Sequence, residues 1–199
     1  MGEIKSAFER AMERVEKLEK PSEEEVLKWK YVPEGQKLAA EYLREGGSLV
    51  AELGKHQEKV KRFVIMGAEE ILLRNIGLPV SDIVRKNNKK AMEGIKAIKA
   101  DKGAIENVYS KMRRIFAHYE NEGEQQRRQA YDGLRQDFQA RIEQAMRQQG
   151  GVPPGARVEA EGHPQFQEEW RHILAQLDSQ YLKLLDEYKQ GITRIRWRY

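Results

Sequence analysis

The 199-residue sequence has no cysteine at all. That single absence removes disulfides, thiolate nucleophiles and thiolate metal ligands together. Long hydrophobic runs are missing too: the best stretch, residues 63–73, is interrupted by Glu69 and Glu70, far short of the roughly 18 apolar residues a membrane span needs. Nor does an apolar signal-type segment open the chain, so a cytoplasmic setting is the expectation. Six prolines are present, and none lies between Pro79 and Pro153, which leaves room for long helix. The glycines at 150, 151 and 155 lack the lysine and hydroxyl of a phosphate-binding P-loop, and neither G-x-S-x-G nor G-x-G-x-x-G occurs. What fills the sequence instead is charge: 34% of residues are charged against 39% hydrophobic, with a mean hydropathy of −0.82, a balance typical of long solvated helices.

The apolar residues recur at helical spacing. Ile4, Ala7, Phe8, Ala11, Val15 and Leu18 predict one amphipathic helix ending before Pro21. Met1, Gly2 and Ser6 also fit the short myristoylation pattern, but that motif is permissive and an ordinary helix start explains it. Ser22 and Glu25 form a capping box for a second helix, which Pro33 should break or kink. Leu38, Ala39, Tyr42 and Leu43 make a third piece, stopped by Gly46-Gly47, with Ser48 as the next cap and a break at Gly54. From about His56 to Asn75 a broad stripe of Val60, Phe63, Val64, Ala68, Ile71 and Leu72 predicts the N-terminal core.

After the Gly77-Leu78-Pro79 turn, Ser81 or Asp82 can cap a helix with Ile83, Val84, Ala91, Ile95 and Ile98 on its apolar side, bent near Gly103. Residues 104–149 then read as one helix carrying Ile105, Val108, Met112, Ile115 and Tyr119 in heptad-like steps. Within it residues 120–129 contain nothing apolar and depend on neighbours for stability. The pattern resumes at Ala130, Leu134, Phe138, Ile142 and Ala145 and ends at Gly150-Gly151 and Pro153-Pro154. In the last helix Leu174, Tyr181, Tyr188 and Ile195 repeat every seven, interleaved with Trp170, Leu177 and Leu184. Paired in an antiparallel hairpin with Tyr119 facing Ile195, the two helices bury both stripes. The same seam could pair between chains, so a homo-oligomer, by default a symmetric dimer, is the alternative.

The fold expectation is therefore all-α, with an N-terminal cluster of short helices over residues 1–80 and, over residues 81–199, a long antiparallel, coiled-coil-like hairpin whose loop spans about 150–164. That loop exceeds the usual helix-to-helix connection. It is either disordered or a binding tip presenting Pro153, Pro154, Arg157 and His163.

The net charge of +4 is unevenly spread: residues 55–118 hold fifteen basic against seven acidic side chains, whereas residues 1–54 hold nine against twelve. The densest part is Arg85, Lys86, Lys89 and Lys90, continuing through Lys96, Lys99 and Lys102. Such a face would bind phosphates of RNA, DNA or anionic lipid in a salt-dependent way, or simply be a solvated face opposite the acidic first 54 residues. Arg194, Arg196 and Arg198 alternate with Ile195, Trp197 and Tyr199, a composition that can stack on bases or sit at a lipid interface. The plainer reading packs Trp197 or Tyr199 on the hairpin and leaves the arginines in water.

Catalytic and metal chemistry is not legible. The four histidines, His56, His118, His163 and His172, have no cysteine to complete a zinc site. Glu169 and His172 make one E-x-x-H step, but a di-iron site needs a second. His118 with Glu122 and Glu52 with His56 read as surface acid–base pairs. No cofactor is implied, and an enzyme would have to assemble its site from scattered carboxylates.

The opening Met1-Gly2-Glu3-Ile4-Lys5-Ser6-Ala7-Phe8-Glu9, together with Gln36-Lys37-Leu38-Ala39-Ala40-Glu41-Tyr42-Leu43, resembles a family of small uncharacterised bacterial helical proteins. The resemblance covers about the first quarter of the chain and supplies no functional residues. It implies a bacterial cytoplasmic setting. Two readings of function follow: a non-enzymatic adaptor or scaffold acting on a protein partner through the hairpin, or a nucleic-acid- or ribosome-associated factor using the basic helix at residues 85–102.

Overall fold

Capping chemistry and apolar spacing place the helices, and the computed structural model, which describes residues 21–148 and 160–198, is all-α. The chain divides into two compact units, Met1–Ile71 and Leu72–Tyr199. The amphipathic helix expected over residues 4–18 lies outside the described residues, as do Pro153, Pro154 and Arg157 of the expected loop.

In the first unit, α1 runs Glu23–Glu45 behind a complete capping box. The Ser22 amide donates to the Glu25 carboxylate at 2.7 Å, and the Glu25 amide donates to the Ser22 hydroxyl at 3.2 Å. Pro33 does not end this helix, so of the expected break or kink the break is corrected. The reason is the packing on either side of it. A Cβ on Gly35 would stand 1.8 Å from the Val64 carbonyl oxygen, and one on Gly67 would stand 2.0 Å from that of Val32. Val32 and Gly35 bracket Pro33, so close backbone contact with the helix carrying Val64 and Gly67 holds α1 continuous where a hydrogen bond is lost. Gly46 and Gly47 have φ of 90° and 97° and turn the chain into α2, Leu49–Gly54, capped by Ser48. The third helix, α3, spans Glu58–Arg74 and buries Val60, Phe63, Val64 and Ala68 from the predicted stripe.

The second unit contains α4 (Asp82–Ile98), α5 (Lys102–Glu120), α6 (Glu122–Gln148), a 3₁₀ turn at Ala160–Gly162 and α7 (Pro164–Thr193). Buried Asn88 clamps the Gly77 turn, donating to the Gly77 carbonyl at 2.7 Å and accepting from its amide at 2.9 Å. Ser81 caps α4. The helix does not bend at Gly103 but stops: Lys99 is extended, and Asp101 restarts the chain by accepting from the Ala104 amide at 2.8 Å. The helix expected over residues 104–149 is also divided, at Asn121, just where the apolar residues run out. There Arg127 donates to the Tyr119 carbonyl at 3.0 Å, satisfying an acceptor freed at the end of α5.

Helix α7 returns antiparallel. Phe166 meets Phe138, Trp170 meets Tyr131 and Tyr181 meets Tyr119, with ring centroids 5.5, 5.1 and 5.1 Å apart. Farther on, residue Trp197 bridges to Lys99. Tyr119 thus faces Tyr181, fourteen residues before the expected Ile195. The strict seven-residue seam is not kept either: Leu184 is 42% exposed, whereas Leu185 is 2% exposed. Near the turn Leu134, Phe138, Ala160 and Phe166 form a buried cluster.

Candidate functional site

The basic side of α4 does not form one free field of cations. Arg85 donates to Glu120 at 2.5 Å and to Asp82 at 2.6 Å. Lys96 donates to Glu106 at 2.9 Å, and Glu106 also receives Arg113. Hydrogen bonds from Lys96 and then Arg113 hold the Glu106 carboxyl below the ordinary carboxylate range. Lys86 and Lys89 are exposed, and Lys90 is half-buried.

Lys99, expected on the exposed face, is fully buried. Its ammonium donates to the Ile195 carbonyl at 2.6 Å and to Thr193 at 3.5 Å, and lies 5.6 Å from the centre of the Trp197 ring. Charge placed among the carbonyls that end α7 explains how a lysine tolerates burial there. Lys102 folds back on α4, donating to the carbonyls of Lys96, Ala97 and Lys99. Burial, then the neighbouring charges of Arg198 and Lys96, pull its ammonium below the ordinary lysine range.

Two basic segments nearly a hundred residues apart are thereby brought to one corner. The Ala100 amide donates to the Arg196 carbonyl at 3.0 Å and the Arg198 amide to the Ile98 carbonyl at 2.8 Å. Ile195 and Trp197 are half-buried, and Arg194, Arg196 and Arg198 are exposed. His163, expected at the hairpin tip, caps α7: its Nδ1 accepts from the Gln165 amide at 3.3 Å, and its ring lies 5.2 Å from that of Phe138.

A feature the sequence reading missed is a groove of about 1070 Å³ beside α5 and α7. Ile115, Leu177, Leu184 and Tyr188 supply its apolar lining, and Lys111 and Arg114 its charge. His118 and Tyr181 meet within it, Nδ1 to the hydroxyl oxygen at 2.9 Å. Behind them the Tyr119 hydroxyl lies 3.4 Å from the Asp178 carboxylate, and the Arg127 guanidinium stacks 4.0 Å over the Tyr119 ring. Burial first, then the Asp178 charge, push the Tyr119 phenol above its ordinary range. The only sequence signal was the overfilled stripe of α7, which has more apolar residues than one helix partner can cover.

Glu169, half of the E-x-x-H step, is held by the two terminal guanidinium nitrogens of Arg141, at 3.1 and 2.6 Å. Among the described residues no three His, Asp or Glu side chains gather to hold a metal, and no helix is long and apolar enough to cross a membrane.

No curated protein and no solved structure matches the chain. A family model does, and its match covers residues 50–194, which takes in the whole of α4, α5, α6 and α7 but not the opening residues that carried the resemblance. On that match the chain belongs to a family of unknown function, DUF6657.

Proposed function

We propose that this chain is a non-enzymatic helical interaction protein whose second unit docks an acidic amphipathic helix in the groove beside α5 and α7. The observation that carries the reading is the groove itself: Ile115, Leu177, Leu184 and Tyr188 line it, and Leu184 keeps 42% of its surface in water. Exposed apolar surface of this kind, next to polar groups, marks docking sites.

The charge narrows the occupant. Lys111 and Arg114 line the groove and neither forms an ion pair among the described residues, while its other polar lining, Gln126, Gln176, Gln180, His118 and Tyr181, includes no carboxylate. A helix with apolar residues at i, i+3 or i+4, and i+7, flanked by Asp or Glu, complements both features. In this reading the protein is an adaptor, and its hairpin is the working part.

The test is site-specific photocrosslinking with a benzophenone amino acid at Gln180, in the intact protein within its native cells. The reading expects crosslinks to one partner segment with acidic amphipathic character, lost in a Lys111→Glu, Arg114→Glu double variant. Crosslinks confined to a second copy of this chain, or unchanged by the charge reversal, would sink it.

A further inference from the structure

We propose that residues 194–198, fastened to the corner between α4 and α5, bind the phosphate backbone of single-stranded nucleic acid. This surface is separate from the groove and does not depend on how the groove is used.

The corner is built before any ligand arrives. Two backbone hydrogen bonds, from Ala100 to Arg196 and from Arg198 to Ile98, form a one-residue antiparallel bridge between Lys99 and Trp197. Extended chain alternates its side chains, with alternate residues about 6.6 Å apart. Trp197 accordingly turns toward Lys99, with the Lys99 ammonium 5.6 Å from its ring centre, while Arg196 and Arg198 stand exposed on the other side. Arg194, at the end of α7, is exposed as well. Burying Lys99 under this segment thus serves to hold three guanidinium groups outward on ordered backbone.

Among the described residues Arg194, Arg196 and Arg198 form no ion pair, unlike Arg85 and Lys96, which are already matched by Glu120 and Glu106. Lys102 adds a fourth cation close enough to Arg198 for the two to repel. Three exposed arginines with no ion pair among the described residues, beside Lys102, make a standing attraction for a polyanion.

The chemistry favours nucleic acid over a membrane surface. A membrane-bound segment inserts apolar side chains past the headgroups, yet Ile195 and Trp197 are both half-buried against the protein. Guanidinium groups match phosphate oxygens in a planar, two-point fashion. A short patch on an extended segment suits a flexible strand, which can adjust successive phosphates to it, whereas duplex recognition places an element in a groove.

The experiment is fluorescence anisotropy of a labelled 20-nucleotide oligouridine with the full chain at 50 and 200 mM salt. Wild type is expected to bind with affinity that falls steeply over that range. An Arg196→Gln, Arg198→Gln variant, with its urea unfolding unchanged, is expected to bind about tenfold or more weakly, and the log–log salt slope should fall by about 1.4, roughly 0.7 for each lost contact. A Lys86→Gln, Lys89→Gln variant should retain wild-type binding. The proposal is overturned if oligouridine does not bind, if the arginine variant binds as wild type does, or if the lysine variant is the one that loses binding. Equal affinity for a 20-base-pair duplex, or for phosphatidylserine vesicles with no oligouridine binding, overturns it as well.

Discussion

The buried ammonium of Lys99 donates to the carbonyl oxygen of Ile195 at 2.6 Å, tying the end of α4 to the chain just beyond α7. Methionine keeps most of the lysine stem but has no donor, so Lys99→Met isolates the polar part of this contact. Hydrogen bonds from charged groups contribute about 1.5–3 kcal/mol, and the variant is expected to lose an amount in that range in urea unfolding. It should also expose residues 194–198 to trypsin, which Lys102→Met should do less, because Lys102 closes only on α4.

The burial of Lys99 was not legible in the sequence, and the reason is physical. A lysine at the edge of a basic run looks solvated unless one knows which carbonyls will surround it, and those lie ninety-six positions away. The caps at Ser22, Ser48 and Ser81 were legible because the hydroxyl and the amide it accepts from are three residues apart. The passage of α1 through Pro33 was not, since it depends on Gly35 and Gly67, whose contacts lie on another helix. For the candidate sites, the residue types are readable but their pairing is not: Arg85 and Lys96 stand in one basic run, and their carboxylate partners Glu120 and Glu106 lie 35 and 10 positions away on other helices.

Gly35 and Gly67 allow a test confined to the first unit. Alanine at either would bring a methyl group within about 2 Å of a backbone carbonyl oxygen, and backbone cannot yield as a flexible side chain can. Gly35→Ala or Gly67→Ala should therefore destabilise that unit by about 3 kcal/mol. Hydrogen exchange should show amides of α1 and α3 losing protection while those around Leu134 and Phe138 keep theirs. Gly133→Ala, where nothing lies within 4 Å of the added carbon, is the control and should leave stability the same or slightly higher.

Acid should weaken the protein in a defined window. The Glu25 carboxyl is held low by the Ser22 amide and hydroxyl, Glu106 by Lys96 and Arg113, and Glu169 by Arg141. A depressed folded value means that the unfolded chain takes up protons first as pH falls. The stabilisation is complete above the ordinary carboxylate value of 4.5 and is lost as pH drops through the lower folded values. Melting temperature measured from pH 6 to pH 2.5 should be level at first and then fall. Because the Glu106 and Glu169 side chains keep 45% and 31% of their surface in water, 1 M salt should flatten the part due to them. Glu106→Gln should flatten it at low salt too, and a curve unaltered by that change would rule out this origin.

The register of the hairpin can be tested directly because the chain has no native cysteine. A repeat of seven allows either helix to slide by seven or fourteen residues and still lay apolar on apolar, which is why periodicity alone put Tyr119 opposite Ile195. What removes the degeneracy is polar and aromatic matching. Tyr119 meets Tyr181 edge-on and its hydroxyl points to Asp178, Arg141 meets Glu169, and the Tyr131 ring sits 5.1 Å from Trp170. A slip of fourteen would part Asp178, whose side chain is only 18% exposed, from Tyr119 and Arg127, and a largely buried carboxylate left unpaired is costly. A Tyr131→Cys, Trp170→Cys protein treated with a short bismaleimide should therefore crosslink within the chain at low protein concentration. Tyr131→Cys, Leu184→Cys, the pair that a fourteen-residue slip would join, should remain unlinked. Efficient linkage of the second pair would mean that the seven-residue pattern, not the polar contacts at the bend, sets how the helices align.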